Sequence, residues 1–251
     1  MASEKTLAVV IRIVEFSETS CVVTLFSRDF GKITGLAKGA RRLKSPFEGA
    51  IDLLALCRLV FLHKSTDALD ILTEAKLERR FRAGSRDLTR LYAGYYVAEL
   101  LNDLNDEHDP HPELFDIAEE TIRRLDDSGP LPLTLLHFEL ALLRILGHLP
   151  ALDQCVGCGR GMPAEAQRVS FGLTVGGVLC GLCRAGRKQV ISMSGELARA
   201  LRRASIQDLQ NWDQLQLDGR EQGELRGVLN QYMNHLLGRR PRLQDYLKVG
   251  V

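Results

Sequence analysis

The sequence contains no long apolar segment. No run approaches the roughly 18 apolar residues that a membrane-spanning helix needs. The chain does not open with the charged stretch, apolar stretch and small-residue cleavage site of an export signal. Internal repeats and low-complexity tracts are also absent. With 45% hydrophobic and 26% charged residues, we expect a folded protein of the cytoplasm.

The short motifs of common enzyme classes are missing as well. The sequence has no phosphate-cradling G-x-x-x-x-G-K segment, no nucleophile elbow and no carboxylate cluster beside a histidine. The nearest approach is His108-Asp109-Pro110-His111, which contains a proline and has acidic neighbours. We interpret it as a loop without metal-binding or catalytic work, and we expect a protein that is not an enzyme.

Neither sign of charge is in excess, since 33 Lys and Arg residues face 32 Asp and Glu residues. Their distribution is nevertheless uneven. Residues 28–44 hold six cations and one acid, whereas residues 99–127 hold eleven acids and two arginines. The basic segment suits a phosphate-bearing ligand. The acidic segment is expected to form solvated helix faces and loops that avoid such a ligand.

The first part of the chain has the patterning and turn signals of short strands. We predict strands over Leu7–Val14, Cys21–Phe26, Lys32–Lys38, Leu53–Leu62 and Leu69–Leu72. Five strands in about 70 residues suggest a small closed barrel. The oligonucleotide-binding (OB) fold is the five-stranded candidate, and other small β folds stay open.

After Lys76 the hydrophobic period becomes that of helices. We predict helices over Arg86–Leu104, Glu113–Leu125, Leu133–Leu146, Ser194–Ala204 and Arg220–Leu237. The third is expected to be the buried central helix because it is apolar on most sides. The predicted fold class is α+β and multidomain: an N-terminal OB-fold β-barrel in residues 1–80, then an α-helical domain in residues 81–251 containing a four-cysteine zinc module at about residues 153–186.

Four of the six cysteines fall in two C-x-x-C pairs, Cys155 with Cys158 and Cys180 with Cys183, separated by 21 residues. This spacing is close to that of a zinc ribbon, in which four thiolates complete a tetrahedron and leave no position for water. We therefore predict a structural Zn²⁺ bound by these four cysteines. Disulfides, an iron–sulfur cluster and unliganded thiols are the open alternatives.

A catalytic zinc site is another interpretation, because His137-Phe138-Glu139 precedes the first cysteine pair in the order seen in nucleobase deaminases. Position 154 is Gln instead of that motif's proline, and the second cysteine pair would have no role. We interpret His137 as an ordinary helix residue and predict no catalytic residue.

Four stretches of the chain, taken in order, match one pattern. They are residues 22–32 (VVTLFSRDFGK), residues 37–42 (AKGARR), residues 146–159 (LGHLPALDQCVGCG), and Phe171 followed by residues 176–180 (GGVLC). Together they resemble the RecO family of bacterial recombination mediators. The matches keep the family's order and cover most of the chain between Leu7 and Cys183.

The resemblance implies an OB-fold barrel, a helical domain with the zinc module, and a role in DNA repair and recombination through the RecF pathway. It implies binding of single- and double-stranded DNA and annealing of complementary strands at the nucleoid. It also implies partners: RecR, with which RecA is loaded onto DNA, and single-strand-binding protein, through its C-terminal tail. Lys38, Arg41 and Arg42 match the family's basic motif and are predicted to bind DNA; Lys32 and Lys44 are added from charge alone.

We expect residues 38–44, with Arg79, Arg80 and Arg82, to form a cationic track for phosphates. Base stacking should not dominate, because the predicted barrel has few aromatic residues and most of them are expected to face its core. Those residues are Phe16, Phe26, Phe30, Phe47 and Phe61. Arg239, Arg240 and Arg242 either extend the track or cap the last helix. The alternative function is a protein–protein interaction scaffold with a structural zinc and no direct DNA role.

Overall fold

The computed structural model describes residues 3–47, 49–64, 69–127, 129–163, 165–206 and 217–247. The chain up to Phe138, together with Pro241–Leu247, forms one compact unit, and Glu139–Arg240 lies in another. Both helices and sheets are present, so the mixed α+β class is confirmed. Among the described residues, no helix combines the length and apolar character needed to cross a membrane.

The first unit is built on a closed barrel of five strands in the order β1-β2-β3-β5-β4, with β4 pairing back onto β1. All neighbours are antiparallel except β3 and β5, which run parallel. The strand bounds are β1 Ser3–Glu15, β2 Cys21–Ser27, β3 Gly31–Ala37, β4 Leu56–Leu62 and β5 Asp70–Arg79. The five strands expected from the sequence are therefore present.

Apolar side chains from alternate strand positions fill the barrel. Val23, Leu25, Ile33, Leu59 and Phe61 are completely buried. Successive residues of a strand point to opposite faces, so this alternation places the apolar set inside. Burial of these side chains is the main stabilising contribution to the barrel.

Two helices of the first unit follow the barrel, α1 (Leu88–Leu104) and α2 (Pro112–Asp126). The carboxylate of Asp87 caps α1 by accepting hydrogen bonds from the backbone N–H groups of Thr89 and Arg90. On α2, Phe115 packs on Phe26 of the barrel with ring centroids 6.3 Å apart. The helices thus cover part of the barrel's outer surface.

The central helix, α3 (Leu131–Ile145), is largely buried, as its uniform apolar character predicted. The remaining elements are β6 (Arg168–Gly172), β7 (Gly177–Leu179), α4 (Gly181–Arg184), β8 (Val190–Ser194), α5 (Gly195–Ile206) and α6 (Gly219–Leu237). The three short strands form one antiparallel sheet in the order β7-β6-β8.

A buried ion pair joins α3 to α6. One guanidinium nitrogen of Arg226 donates to both oxygens of Glu139, at 2.5 and 2.7 Å. Glu139 is fully buried and Arg226 nearly so. Removing either partner would leave the other charge without compensation in the core.

Candidate metal centre and candidate nucleic-acid interface

The four cysteines of the two C-x-x-C pairs meet at one place. Their sulfur atoms all lie within 4.8 Å of one another, and the sulfurs of Cys158 and Cys180 are 3.8 Å apart. Cys155 precedes a turn that brings Cys158 back beside it, while Cys180 follows β7 and Cys183 lies on α4. Cys155 is buried, whereas Cys158 is exposed.

Backbone geometry brings the two pairs together. The N–H of Cys158 and the N–H of Gly159 both donate to the carbonyl of Cys155, at 3.3 and 2.8 Å. A Cβ on Gly157 would lie 3.0 Å from the Cβ and the sulfur of Cys183, which is closer than side chains normally approach. Any larger residue at position 157 would have to displace Cys183 by a few tenths of an ångström, so glycine suits the close approach of the second pair.

Hydrogen bonds lower the pKa of some of these thiols and raise the pKa of another. The backbone N–H of Cys180 donates to the Cys155 sulfur at 3.3 Å and is the largest cause that lowers the pKa of that thiol to about 6. The N–H of Cys183 likewise lowers the pKa of Cys180. Hydrogen bonding with the Cys158 sulfur raises the pKa of Cys183 to about 12. Because metal ligation requires thiolates, a cation bound by the four sulfurs would favour the deprotonated form of the cluster.

Four soft sulfur donors at this separation form a donor set that suits zinc. His137 lies half-buried on α3 and belongs to no group of metal-ligating side chains among the described residues. The cysteine cluster is therefore a closed set of four ligands, which is the arrangement of a structural rather than a catalytic metal site.

The basic segment after β3 folds against the turn between β1 and β2. The Gly39 N–H donates to Ser20 Oγ at 3.2 Å, and the Arg41 N–H donates to the Thr19 carbonyl at 3.1 Å. Gly39 has a φ of 69°, in the left-handed region that favours glycine. These contacts fix the backbone from which the cationic side chains project.

The five cations predicted to bind DNA do not all occupy this segment. Lys38, Arg42 and Lys44 are exposed, and their side chains pair with no residue in the described part of the chain. Arg41 is also exposed and forms an ion pair with Glu15 at the end of β1. Lys32 lies near the opposite end of β3, half-buried, and its Nζ donates to the Asn102 carbonyl at 2.7 Å.

Other barrel cations are neutralised by the acidic helical segment. Arg28 donates two hydrogen bonds to Asp116 of α2, at 2.9 and 3.0 Å. Arg79 pairs with Glu119 at 2.9 Å, so it does not present a free charge to the predicted cationic track. Part of the acidic run thus pairs with the barrel, which the interpretation as solvated helix faces and loops did not include.

Most aromatics of the barrel face its interior, as expected, and two do not: Phe26 packs outward on Phe115 of α2, and Phe16 lies in a turn. Phe26, Phe47 and Phe61 are buried and Phe30 is partly buried, but Phe16 is 65% exposed. Phe16 lies in the turn between β1 and β2, where its N–H donates to the Ser20 carbonyl at 3.1 Å. The segment of residues 38–44 contacts this same turn, so the exposed ring and the exposed cations project from adjacent segments. The position of Phe16 after the end of β1 was the only sequence signal for exposure.

Comparison with known proteins identifies the family of this chain. Models named Recombination protein O N terminal and Recombination protein O C terminal match residues 1–81 and residues 85–244. The chain belongs to the RecO family of DNA repair proteins. Among RecO proteins named DNA repair protein RecO, that of Rhodopirellula baltica is 42% identical, over 96% of this chain and 97% of its own. That of Anaeromyxobacter dehalogenans is 34% identical over 97% and 95%, and that of Myxococcus xanthus is 34% identical over 96% and 95%.

Both candidate sites lie inside the regions matched to RecO. The N-terminal family model includes the exposed cations of residues 38–44, and the C-terminal model includes all four clustered cysteines. The sequence resemblance to the RecO family is thereby confirmed, and with it the assignment to DNA repair.

Proposed function

We propose that this RecO-family protein is a DNA-binding recombination mediator without catalytic activity of its own. It binds single- and double-stranded DNA, anneals complementary strands, and acts with RecR to load RecA onto DNA coated by single-strand-binding protein. The observation that carries the proposal is the group of exposed cations at residues 38–44, on the segment that contacts the turn carrying the exposed Phe16. Of these cations, Lys38, Arg42 and Lys44 have no partner among the described residues. The protein would act in the cytoplasm, at the nucleoid.

The barrel in this proposal is an OB fold. The order β1-β2-β3-β5-β4, closed through β1 and β4 and with β3 parallel to β5, supports this assignment. OB folds bind oligonucleotides on the face of strands 2 and 3 and with the loops next to it, including the loop between strands 1 and 2. The turn that carries Phe16 is that loop, and the cationic segment is packed on it. We propose residues 1–80 as the DNA-binding domain and residues 81–251 as the helical domain with the zinc module, a division supported by the two family-model matches.

Lys38, Arg41, Arg42 and Lys44 form the proposed phosphate-binding site, with Lys32 as a weaker member because its ammonium group is already hydrogen-bonded. Cations that neutralise phosphates release condensed counterions, so binding should weaken steeply with salt. Neutralising two strands on one surface lowers their repulsion. Contacts to phosphate leave the base edges free to pair, and this combination favours annealing.

Zinc in the proposed module has a structural role. Cys155, Cys158, Cys180 and Cys183 would hold Zn²⁺ in a tetrahedron and thereby join the turn that follows Leu152 to the β7–α4 connection. Four cysteine ligands would leave no position for water, so a bound ion would add folding free energy and no chemistry.

Annealing of complementary oligonucleotides coated with single-strand-binding protein tests the proposal. The wild type is compared with a variant in which Lys38, Arg41 and Arg42 are all alanine, and zinc content is measured in both. Loss of annealing in a variant that keeps its zinc supports the assignment. An inactive wild type would contradict it and favour the protein-binding scaffold.

A further inference from the structure

A second group of metal-ligating side chains lies on the barrel, apart from the cysteines. His63 follows the end of β4, Asp70 begins β5, and His108 lies in the connection between α1 and α2. One ligand atom from each lies within 4.8 Å of those from the other two. Asp70 is the shared partner: the Nδ1 of His63 is 3.2 Å from its Oδ1, and the Nε2 of His108 is 3.8 Å from its Oδ2.

The carboxylate of Asp70 is buried and only partly satisfied. Asp70 has 2% of its side chain exposed. Its Oδ1 accepts a hydrogen bond from the Lys64 backbone N–H at 2.9 Å, whereas its Oδ2 accepts none from any described residue. A buried carboxylate oxygen without a hydrogen bond carries a large desolvation cost. The open side of this oxygen faces His108.

An ordinary histidine–aspartate ion pair accounts for only half of this arrangement. One protonated histidine would balance the single carboxylate, but two imidazoles converge on it, with ring centroids 4.6 Å apart. Two protonated rings at that separation would repel each other. A cation between the three side chains satisfies both imidazoles in their neutral form and the carboxylate together.

The distances suit a transition-metal ion. Ligand atoms about 2.1 Å from a tetrahedral zinc lie about 3.4 Å apart. The nitrogen–oxygen separations are 3.2 Å from His63 to Oδ1 and 3.8 Å from His108 to Oδ2, so the two imidazoles approach different oxygens of one carboxylate at distances close to that value. Two imidazoles and one carboxylate are ligands that bind zinc and other divalent first-row ions. His63 and His108 are 49% and 42% exposed, so an ion can enter from solvent and keep water at its remaining positions.

The barrel positions these ligands in advance. β3 pairs with β5 through residues 35–37. Beside the first half of β3 lies the α1–α2 connection instead, and there the His108 N–H donates to the Lys32 carbonyl at 2.9 Å. A Cβ on Gly31 would lie 2.1 Å from the Asp109 carbonyl oxygen, which shows how closely the connection packs. His108 itself is held at a φ of 57°.

We propose that His63, Asp70 and His108 form a binding site for a divalent transition-metal ion, with Zn²⁺ the first candidate. The ion joins the end of β4, the start of β5 and the α1–α2 connection. This assigns to His108 the metal-binding role that its own segment, considered alone, did not suggest. The inference does not depend on DNA binding or on the cysteine site.

Equilibrium dialysis of the untagged full chain against micromolar Co²⁺ tests the proposal, with bound metal counted by mass spectrometry. Cobalt on thiolates absorbs strongly through sulfur-to-metal charge transfer, whereas cobalt on imidazole and carboxylate does not, so the two sites are counted separately. We expect the wild type to bind one ion with thiolate absorption and a second without it. His63→Ala and His108→Ala should each lose only the second ion, and Asp70→Asn should weaken it at least tenfold.

His111→Ala is the matched control, because His111 lies in the same connection and pairs with Asp109 at 3.1 Å, outside the cluster. It should keep both ions. Circular dichroism in the presence of a chelator shows whether each variant is folded, and the exposed histidines can be replaced without opening the core. Wild-type uptake that stops at the thiolate-bound ion, or undiminished uptake in both histidine variants, overturns the proposal. Uptake without thiolate absorption would instead count against the cysteine site alone.

Discussion

The salt dependence of DNA binding follows directly from which cations are unpaired. Lys38, Arg42 and Lys44 are exposed and have no partner among the described residues, so each can take a phosphate without first breaking an ion pair. On single strands each neutralised phosphate contributes about 0.7 to the slope of log affinity against log salt, so the three together contribute about 2. Between 50 and 200 mM salt this slope corresponds to about a fifteenfold loss of affinity.

Replacing these three residues by alanine should therefore reduce the slope by about 2. Fluorescence anisotropy of a labelled single-stranded oligonucleotide, titrated at a series of NaCl concentrations, measures it. The matched control replaces Arg28, Arg58 and Arg79, which removes the same charge from ion-paired positions outside the proposed site. Equal slopes for the two triple variants would show that net charge, rather than the exposed segment, governs binding, and would refute the reasoning.

Further predictions concern the neighbours of the segment and the core. Glu15→Gln frees Arg41 from its ion pair and should strengthen DNA binding and steepen its salt slope by about 0.7 in the same titration. Phe16→Ala should weaken single-strand binding by about 1–3 kcal/mol with an unchanged salt slope, if bases stack on the ring. Glu139→Ala leaves Arg226 buried without a partner and should cost about 3–5 kcal/mol of stability in urea unfolding. Burial raises the pKa of Cys57 to about 12, so this thiol should resist iodoacetamide at pH 8 in the native protein, whereas Cys158 should react once a chelator is added; mass spectrometry of the labelled peptides checks both.

Elements with a sustained hydrophobic period were predictable from sequence. The predicted strand Cys21–Phe26 and the observed β2, Cys21–Ser27, differ by one residue, and the predicted helix Arg220–Leu237 differs from α6 by one residue at its start. In such segments every local preference agrees with the burial pattern. The pattern alone therefore locates the element.

The predicted bounds of β4 and β5 are wrong where the backbone is irregular. β5 continues to Arg79, well past the predicted end at Leu72. The prediction ended too early because Thr73 is an extra residue in a β-bulge, at which Leu72 pairs with Phe61 and Glu74 with Val60. The bulge places two exposed residues in succession and breaks the alternation that identifies a strand. β4 begins later than predicted because Leu54 has a φ of 65°, which an extended strand does not allow.

The sheet of β6, β7 and β8 was not predicted at all. Its strands have three to five residues, too few for an alternating pattern to stand out. They are stabilised by pairing with one another and by contacts such as Phe171 against Tyr232, with ring centroids 5.4 Å apart. These contacts join positions that are distant in sequence.

The same distinction applies to the candidate sites. The four cysteines could be predicted because each pair is local and its spacing is itself the signal. The cluster of His63, Asp70 and His108 could not, because it requires the register that sets Asp70 beside Gly35 and the insertion of the α1–α2 connection along β3. The pairing of Arg28 and Arg79 with α2 depends in the same way on packing between distant segments.

The unequal burial of the cysteines leaves one side of their site open to solvent. Cys158 faces solvent, while Cys155 is enclosed and its sulfur receives the Cys180 N–H. An oxidant or a competing chelator would therefore react with Cys158 first, and the buried Cys155 would be the last ligand to dissociate from a departing ion. If the four cysteines hold an ion as proposed, its loss would begin at the outer corner of the site, and the reactivity of a single sulfur atom would govern that first step.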